Sequence, residues 1–94
     1  MSLTKAEIIT QIMELGLDRK ESARLLETLL EIMKQSLENG DDVMVSGFGK
    51  LSVKQKSPRR GRNPATGDDL MLDARKVVTF KPSGILRKRI NEGL

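Results

Sequence analysis

Residues 58–67 are Pro58-Arg59-Arg60-Gly61-Arg62-Asn63-Pro64-Ala65-Thr66-Gly67. This stretch holds three arginines, two prolines, two glycines and no acid, so it has almost nothing to place in a core. Strand-like runs flank it, with Lys50–Lys56 before it and Leu70–Leu72 and Val77–Phe80 after it. A tip rich in Gly, Pro and Asn between two such runs predicts a β-hairpin. With about nine residues on each side and about 3.3 Å per residue, the hairpin is an arm of roughly 30 Å.

The tip of the arm carries a particular chemistry. Arg62 and Asn63 can donate hydrogen bonds to the acceptors of the minor groove of DNA. Pro64 is a stiff apolar ring without an N–H, which suits it to insertion between base pairs. The candidate tip residues are Arg59, Arg60, Arg62, Asn63 and Pro64. The alternative is a solvated basic loop without a partner.

Two motifs carry a resemblance to a known family. Gly47-Phe48-Gly49-Lys50-Leu51 and the stretch from Arg59 to Gly67 resemble the signature of the bacterial HU / integration host factor family. The likeness covers nearly the whole chain and its motifs are highly specific. It implies an intertwined dimer that binds the minor groove of duplex DNA and bends it, the established mode of this family, with Pro64 as the intercalating wedge.

Length and composition limit the alternatives. Ninety-four residues allow one domain, and about twenty of them belong to the arm. The rest is close to the size at which a single core is marginal, which favours a core shared in a dimer. Cys and His are absent, so we expect no metal, cofactor or small-molecule substrate. The pairs Asp41-Asp42 and Asp68-Asp69 suit turns, and no catalytic constellation is present.

The chain also lacks an apolar run long enough to span a membrane and a signal-peptide pattern. We therefore expect a cytoplasmic protein without a membrane partner, located on the bacterial nucleoid if the resemblance holds.

Charge is unevenly distributed along the chain. Residues 1–49 have a balance of −4 and residues 50–94 a balance of +8, which indicates one polyanion-binding face and one face turned away from it.

The secondary-structure signals predict an α+β fold with two N-terminal helices, a three-stranded antiparallel sheet extended into the arm, and a short C-terminal helix. Thr4 and Asp18 each precede a Glu by three residues, as in capping boxes, and Gly16 and Gly40 suit helix ends. Phe48 and Phe80 are expected to meet in the shared core. The single domain, residues 1–94, has a helical dimerisation region at 1–40, a sheet at 41–81 with the arm at about 54–74, and a C-terminal helix at 82–94.

Further basic and hydroxyl residues are candidate phosphate contacts. Lys54, Lys56, Arg75 and Lys76 lie along the arm and its base, with a solubilising role as the alternative. Ser83 can cap the last helix, and Lys81, Ser83 and Arg87 lie near its start, where free N–H groups suit a phosphate. The resemblance implies contacts on the flanks of the body from Thr4, Lys5, Ser46 and Gly47, although Thr4 is equally explained as a helix cap.

Residues 73–83 resemble the alpha-subunit branch of integration host factor more than HU, which implies a heterodimer with a homologous beta subunit and some sequence preference. An HU-like homodimer with little preference is the alternative within the family. An RNA-binding or ribosome-associated basic module, and a structural dimer whose arm binds a protein, are the alternatives outside it.

Overall fold

The computed structural model describes residues 1–62, 65–67, 69–72 and 74–92, and for residues 59, 60, 62 and 69–72 it describes the backbone alone. The chain forms two compact units, Met1–Gln35 and Ser36–Leu94. The first is helical, and the second holds the sheet, the arm and the last helix.

Helix α1 spans Lys5–Met13 and begins at the predicted cap. The backbone N–H of Glu7 donates to Oγ1 of Thr4 at 3.3 Å, and the Thr4 hydroxyl donates to the Glu7 carboxylate at 3.3 Å. Gly16 follows the helix with φ of +103°, a conformation that costs glycine little. The Thr4 cap and the glycine end of α1 are thus confirmed, with the Glu7 side chain accepting from the Thr4 hydroxyl in place of the backbone N–H of a full capping box.

Helix α2 spans Arg19–Glu38. It begins where the N–H of Glu21 donates to the Asp18 carboxylate at 2.7 Å. It ends in a Schellman motif, in which Gly40 donates to the Leu37 carbonyl at 3.0 Å and Asp41 donates to the Ser36 carbonyl at 2.9 Å. Gly40 has the positive φ, +82°, that this motif requires. Both predicted ends of α2 are confirmed.

The main sheet is antiparallel, with strands in the order β1-β2-β5. These strands span Val43–Val45, Gly49–Lys56 and Arg75–Pro82. A β-turn joins β1 to β2, closed by the N–H of Phe48 donating to the Val45 carbonyl at 2.9 Å. Gly47 takes φ of +79° at the third position of this turn, where type II turns place glycine. The predicted three-stranded sheet is confirmed.

The arm is a separate antiparallel ladder of β3, Arg59–Arg62, and β4, Asp69–Leu72. The predicted extension of the sheet into a hairpin arm is confirmed, with an interruption that the sequence pattern did not predict, since β2 ends at Lys56 and β3 begins at Arg59. The interruption falls at Ser57 and Pro58, and the lack of an N–H on Pro58 explains why regular pairing stops there.

Helix α3 spans Gly84–Asn91 and begins at the predicted cap, because the N–H of Leu86 donates to Oγ of Ser83 at 3.0 Å. The N–H of Ser83 itself donates to the Phe48 carbonyl at 2.9 Å. This bond ties the start of α3 to the turn between β1 and β2.

Burial within the single chain is low. Leu26 is the buried hydrophobic side chain among the residues whose burial is described, and its helical neighbour Ser22 is buried completely. Leu25, Leu29 and Ile32 on α2 are 51%, 52% and 58% exposed. In the sheet unit Val78 and Phe80 are 55% and 44% exposed. Each unit therefore carries apolar surface that the chain leaves open to solvent.

Candidate nucleic-acid interface

The ladder of β2 and β5 has one basic face. Paired residues of antiparallel strands point to the same side of a sheet, and side chains alternate between sides along each strand. Lys50 pairs with Lys81, Lys54 with Val77, and Lys56 with Arg75. We define the basic face as the side that carries five cations, namely Lys50, Lys54, Lys56, Arg75 and Lys81. Between them lie Ser52 and Thr79, whose backbones pair directly.

The opposite face of the same ladder is mainly apolar. Leu51 pairs with Phe80 and Val53 with Val78 on this side. The rings of Phe48 and Phe80 lie 5.4 Å apart between centroids with a tilt of 48°. The predicted contact between them is thus confirmed, although both side chains are partly exposed in the single chain. This face is suited to packing and the basic face to an anionic partner.

The structure separates the predicted phosphate contacts of the sheet into two groups. Lys54, Lys56, Arg75 and Lys81 share the basic face, whereas Lys76 pairs with Gln55 on the other side. Lys50, which the sequence predicts to begin a strand but not to contact a phosphate, also belongs to the basic face. The alternation of Lys50, Ser52, Lys54 and Lys56 is the signal that could have placed it there.

The basic face places like charges opposite one another. Lys50 faces Lys81, and Lys56 faces Arg75, an arrangement that weakens a sheet. Among the residues that the structure describes, one ion pair reaches this face, between Lys50 Nζ and Asp42 Oδ2 at 3.6 Å. An external polyanion bound on this face would relieve the repulsion between the facing cations.

A pocket of about 260 Å³ lies at the end of the basic face nearest the turn. Four predicted residues contribute to its lining, Ser46 and Gly47 from the turn, Lys81 from β5 and Ser83 from the cap of α3, and Lys50 joins them. These four residues come from two segments of the chain, 46–47 and 81–83, and the fold brings the two segments to one site. Arg87, on α3, is exposed and has no ion pair among the described residues.

The second glycine of the Gly47-Phe48-Gly49 motif is needed because β5 passes close to it. It is buried, and a Cβ built on it would lie 2.6 Å from the Phe80 ring and 2.7 Å from the Lys81 carbonyl oxygen. Such distances are impossible for a real side chain, and the Lys81 oxygen belongs to the backbone. Gly49 thus lets β5 approach closely enough to place Lys81 beside Lys50.

In the helical unit, Thr4 and Lys5 are both engaged within the chain. Thr4 caps α1, so the structure shows the helix-cap role that was the alternative to a phosphate contact for this residue. Lys5 forms an ion pair with Glu27 of α2. The hydrogen bond and charge of Lys5 lower the pKa of the Glu27 carboxyl below its ordinary value. Any phosphate that Lys5 contacts therefore competes with this carboxylate for the lysine's charge.

The arm tip is described mainly through its backbone. The backbones of Arg59, Arg60 and Arg62 lie in β3, pairing with Leu72, Met71 and Asp69. Gly67 has φ of +77°, as expected for a turning residue. Asn63 and Pro64, the predicted groove donor and wedge, lie outside the described residues.

The described residues form neither a metal site nor a membrane-spanning helix. In the described ranges no group of three or more His, Cys, Asp or Glu side chains converges as a metal site. None of the described helices is long and apolar enough to cross a membrane.

Comparisons with known proteins agree with this geometry. A family model described as "Bacterial DNA-binding protein" matches residues 3–91. Integration host factor subunit alpha from Colwellia psychrerythraea is 44% identical over 94 residues, which cover 99% of this chain and 97% of that protein. The subunit of the same name from Myxococcus xanthus is 44% identical over 90 residues, covering 95% and 70%.

Solved structures show the same fold. HU from Anabaena, crystallised with DNA, superposes with a TM-score of 0.83 at 25% identity, covering 96% of this chain and 99% of that one. An HU mutant from Thermotoga maritima, at 24% identity, has a TM-score of 0.70 with 95% and 100% covered, a likeness of fold alone. With the family match over residues 3–91 and the integration host factor relatives, these findings establish that the chain belongs to the bacterial DNA-binding protein family of HU and integration host factor.

Proposed function

We propose that this chain is an architectural protein of the bacterial nucleoid that binds duplex DNA in the minor groove and holds it bent. The observation that carries the proposal is the basic face, whose cations run from the pocket beside the turn to the last pair before the arm. A row of cations along one strand pair suits the regular phosphates of a duplex, which hold one negative charge per roughly 1.7 Å of axis. We infer a binding role and no catalysis, in the cytoplasm.

The working unit is a dimer, formed with a second copy or with a homologous beta subunit. The support is the open apolar surface of both units, including Leu29 at 52% and Val78 at 55% exposed. Monomeric proteins rarely expose large apolar patches, so numerous exposed apolar side chains favour a partner that covers them. A chain of this size also gains most of its missing core by sharing one.

Affinity comes mainly from phosphate neutralisation. If the basic face, Arg87, Lys76 and the arm together neutralise about six phosphates, the logarithm of the binding constant falls against the logarithm of salt with a slope near −5. Ser46, Gly47 and Ser83 add hydroxyl and backbone donors at the pocket, and Thr4 and Lys5 add a contact from the helical unit. None of these groups distinguishes one base from another.

Bending comes from the arm tip. Pro64 brings no charge and no donor, so its contribution is apolar surface pressed into a base step, where it covers the bases exposed by unstacking. Arg59, Arg60, Arg62 and Asn63 keep the tip in the groove through charge and hydrogen bonds to its acceptors. Unstacking costs a few kcal/mol per step, which is offset by the extra duplex laid against the protein.

The test compares bent, nicked and straight duplexes in a shift assay, together with end-to-end energy transfer to measure the bend. We expect tighter binding to nicked duplex and a shortened end-to-end distance. Pro64→Ala should reduce the bend and weaken binding to straight DNA more than to nicked DNA, whereas Arg62→Ala should weaken both. An unchanged bend for Pro64→Ala means that the arm is only an electrostatic clamp.

Two further measurements separate the alternatives. Duplex RNA of equal charge should compete poorly, because its shallow minor groove gives the wedge little purchase. Equal competition by RNA favours an RNA-binding module, and no shift at moderate salt favours a protein-binding arm. Titration with a beta subunit distinguishes the heterodimer, with a gain in affinity and sequence preference, from the homodimer, with none.

A further inference from the structure

We propose that Lys50 and Lys81 hold one DNA phosphodiester between them and that this phosphate displaces Asp42 from Lys50. This inference rests on the proposed function and deepens it in two ways, with a single phosphate shared by Lys50 and Lys81 and with Asp42 as a competing counterion.

The pairing of the strands brings the two lysines together. Lys50 and Lys81 are direct partners in the β2–β5 register, so their side chains rise from the same face. Cβ atoms of such pairs lie about 5 Å apart, well within the reach of two lysines toward one phosphate. Gly49 fixes this approach, because a Cβ there would collide with the Lys81 carbonyl oxygen at 2.7 Å.

The surroundings of the pair suit an anion. Both lysines line the 260 Å³ pocket, together with Ser46 and Ser83. The Ser83 hydroxyl oxygen accepts the N–H of Leu86, which leaves its own hydrogen able to donate to a phosphate oxygen. Two lysines and two serines thus contribute to the lining of one pocket, which Met44, Val45 and Pro82 share.

Asp42 compensates only one of the two charges. Its Oδ2 lies 3.6 Å from Lys50 Nζ, which is within ion-pair range but beyond hydrogen-bond distance. The two side chains are 49% and 41% exposed, so solvent screens the pair. Among the described residues Lys81 has no acidic partner. The site therefore keeps a net positive charge in the free protein.

DNA binding changes the balance at this site. A phosphodiester between the lysines interacts with both cations at once and repels the Asp42 carboxylate. Asp42 then opposes binding in two ways, by competing for Lys50 and by repelling the phosphate. Removing its charge should strengthen binding, and most of the gain should depend on Lys50.

The experiment measures affinity for a nicked duplex and its salt dependence in the full-length protein. Lys50→Gln should reduce the salt slope by about 1, as expected for the loss of one phosphate contact. Asp42→Asn should tighten binding about threefold, the scale of an exposed ion pair. In the Lys50→Gln background the same change should tighten binding less than about twofold. Thermal unfolding of each variant confirms that it is folded.

Two matched variants control for general charge. Asp41→Asn removes the same charge from the neighbouring residue, which forms no described ion pair with Lys50. This variant should change affinity less than Asp42→Asn. Lys20→Gln removes a lysine from the helical unit and should leave the slope nearly unchanged.

If Lys50→Gln leaves affinity and slope unchanged while the parent binds and bends DNA, the inference is overturned and the proposed function stands. Equal tightening by Asp41→Asn and Asp42→Asn also overturns it, because the effect is then one of net charge. If the parent protein binds no DNA, the proposed function fails as well.

Discussion

The helical unit and the sheet unit use their cations differently. Lys5 in the helical unit is bound by Glu27 of the neighbouring helix closely enough to lower the pKa of that carboxyl. On the basic face of the sheet unit, Lys50 alone has a described acidic partner, and it is 3.6 Å away. Five bases and six acids nearly balance in residues 1–35, whereas residues 36–94 hold twelve bases and seven acids.

The difference shows what makes a cation available to DNA. When a lysine is already paired, its carboxylate competes with a phosphate for it, so the net contribution of that lysine to binding is smaller. Cations placed opposite other cations gain twice, from the phosphate and from relief of their mutual repulsion. Charge count alone does not distinguish the two cases, but strand register and helix pairing do.

The largest loss of stability should come from a change to the exposed apolar side chains of α2 in the helical unit. Leu29→Asp places a charge on a side chain that is 52% exposed in the single chain and that the dimer is expected to cover. Burial of an unpaired carboxylate should cost at least about 3 kcal/mol. Sedimentation and circular dichroism at micromolar concentration should show dissociation with loss of structure. Lys20→Asp is the control, and a folded, dimeric Leu29→Asp protein would contradict the shared core.

The close approach of β5 to β2 in the sheet unit should give the next largest effect. Gly49→Ala places a methyl 2.6 Å from the Phe80 ring and should destabilise the protein by roughly 2 kcal/mol, because Lys81 and its strand must move. Gly84→Ala is the control, since nothing lies within 4 Å of its Cβ. That helical change should be neutral or stabilising by up to about 1 kcal/mol. Urea unfolding measures both, and equal effects would mean that Gly49 is not tightly packed.

The two faces of the β2–β5 ladder can be compared by salt dependence. Lys54→Ala, on the basic face, should reduce the slope of log K against log salt by about 1. Lys76→Ala, on the other face, should reduce it less, because its pairing with Gln55 turns it away from the basic face. Titrations at several salt concentrations give both slopes. Equal reductions would show that DNA contacts both sides of the ladder.

Ser22 offers a smaller change inside the helical unit. Its side chain is fully buried, and its hydroxyl oxygen has no hydrogen-bond partner among the described residues. Ser22→Ala should stabilise the protein by about 0.5–1 kcal/mol, because it removes an unsatisfied polar group and improves helix propensity. Ser22→Thr keeps the hydroxyl and adds a methyl to a filled site, so it should destabilise. Urea unfolding that shows a loss for Ser22→Ala would indicate an undetected partner.

The smallest effect should come from the Lys5–Glu27 pair. Since the folded pKa of Glu27 is depressed, its contribution to stability is fully present above the ordinary pKa of 4.5 and is lost as pH falls through the folded pKa. The free energy of unfolding of the parent should therefore approach that of Glu27→Gln as pH falls below about 4.5. Exposure keeps the difference small. A difference that persists to the lowest pH would exclude this ion pair as its source.

Local signals predicted the secondary structure well because they act over a few residues. The caps at Thr4, Asp18 and Ser83 each formed the expected side-chain bond to a backbone N–H. Gly40 took the positive φ that ends α2. The first strand run ends at Lys56 as predicted, but residues 59–62, which the sequence pattern assigned to the tip because of their Gly and Pro neighbours, form strand β3.

The sequence by itself determined the α+β element order, the basic arm and the family signature, since all three follow from contiguous residues. The tertiary structure decided which cations share a face. Pairing Lys50 with Lys81 requires residues 31 positions apart to meet in one register, and a shift of one residue would turn each strand's side chains to the other side. Asp42 became the partner of Lys50 for the same reason, because the turn that returns β2 along β1 brings it back beside that lysine.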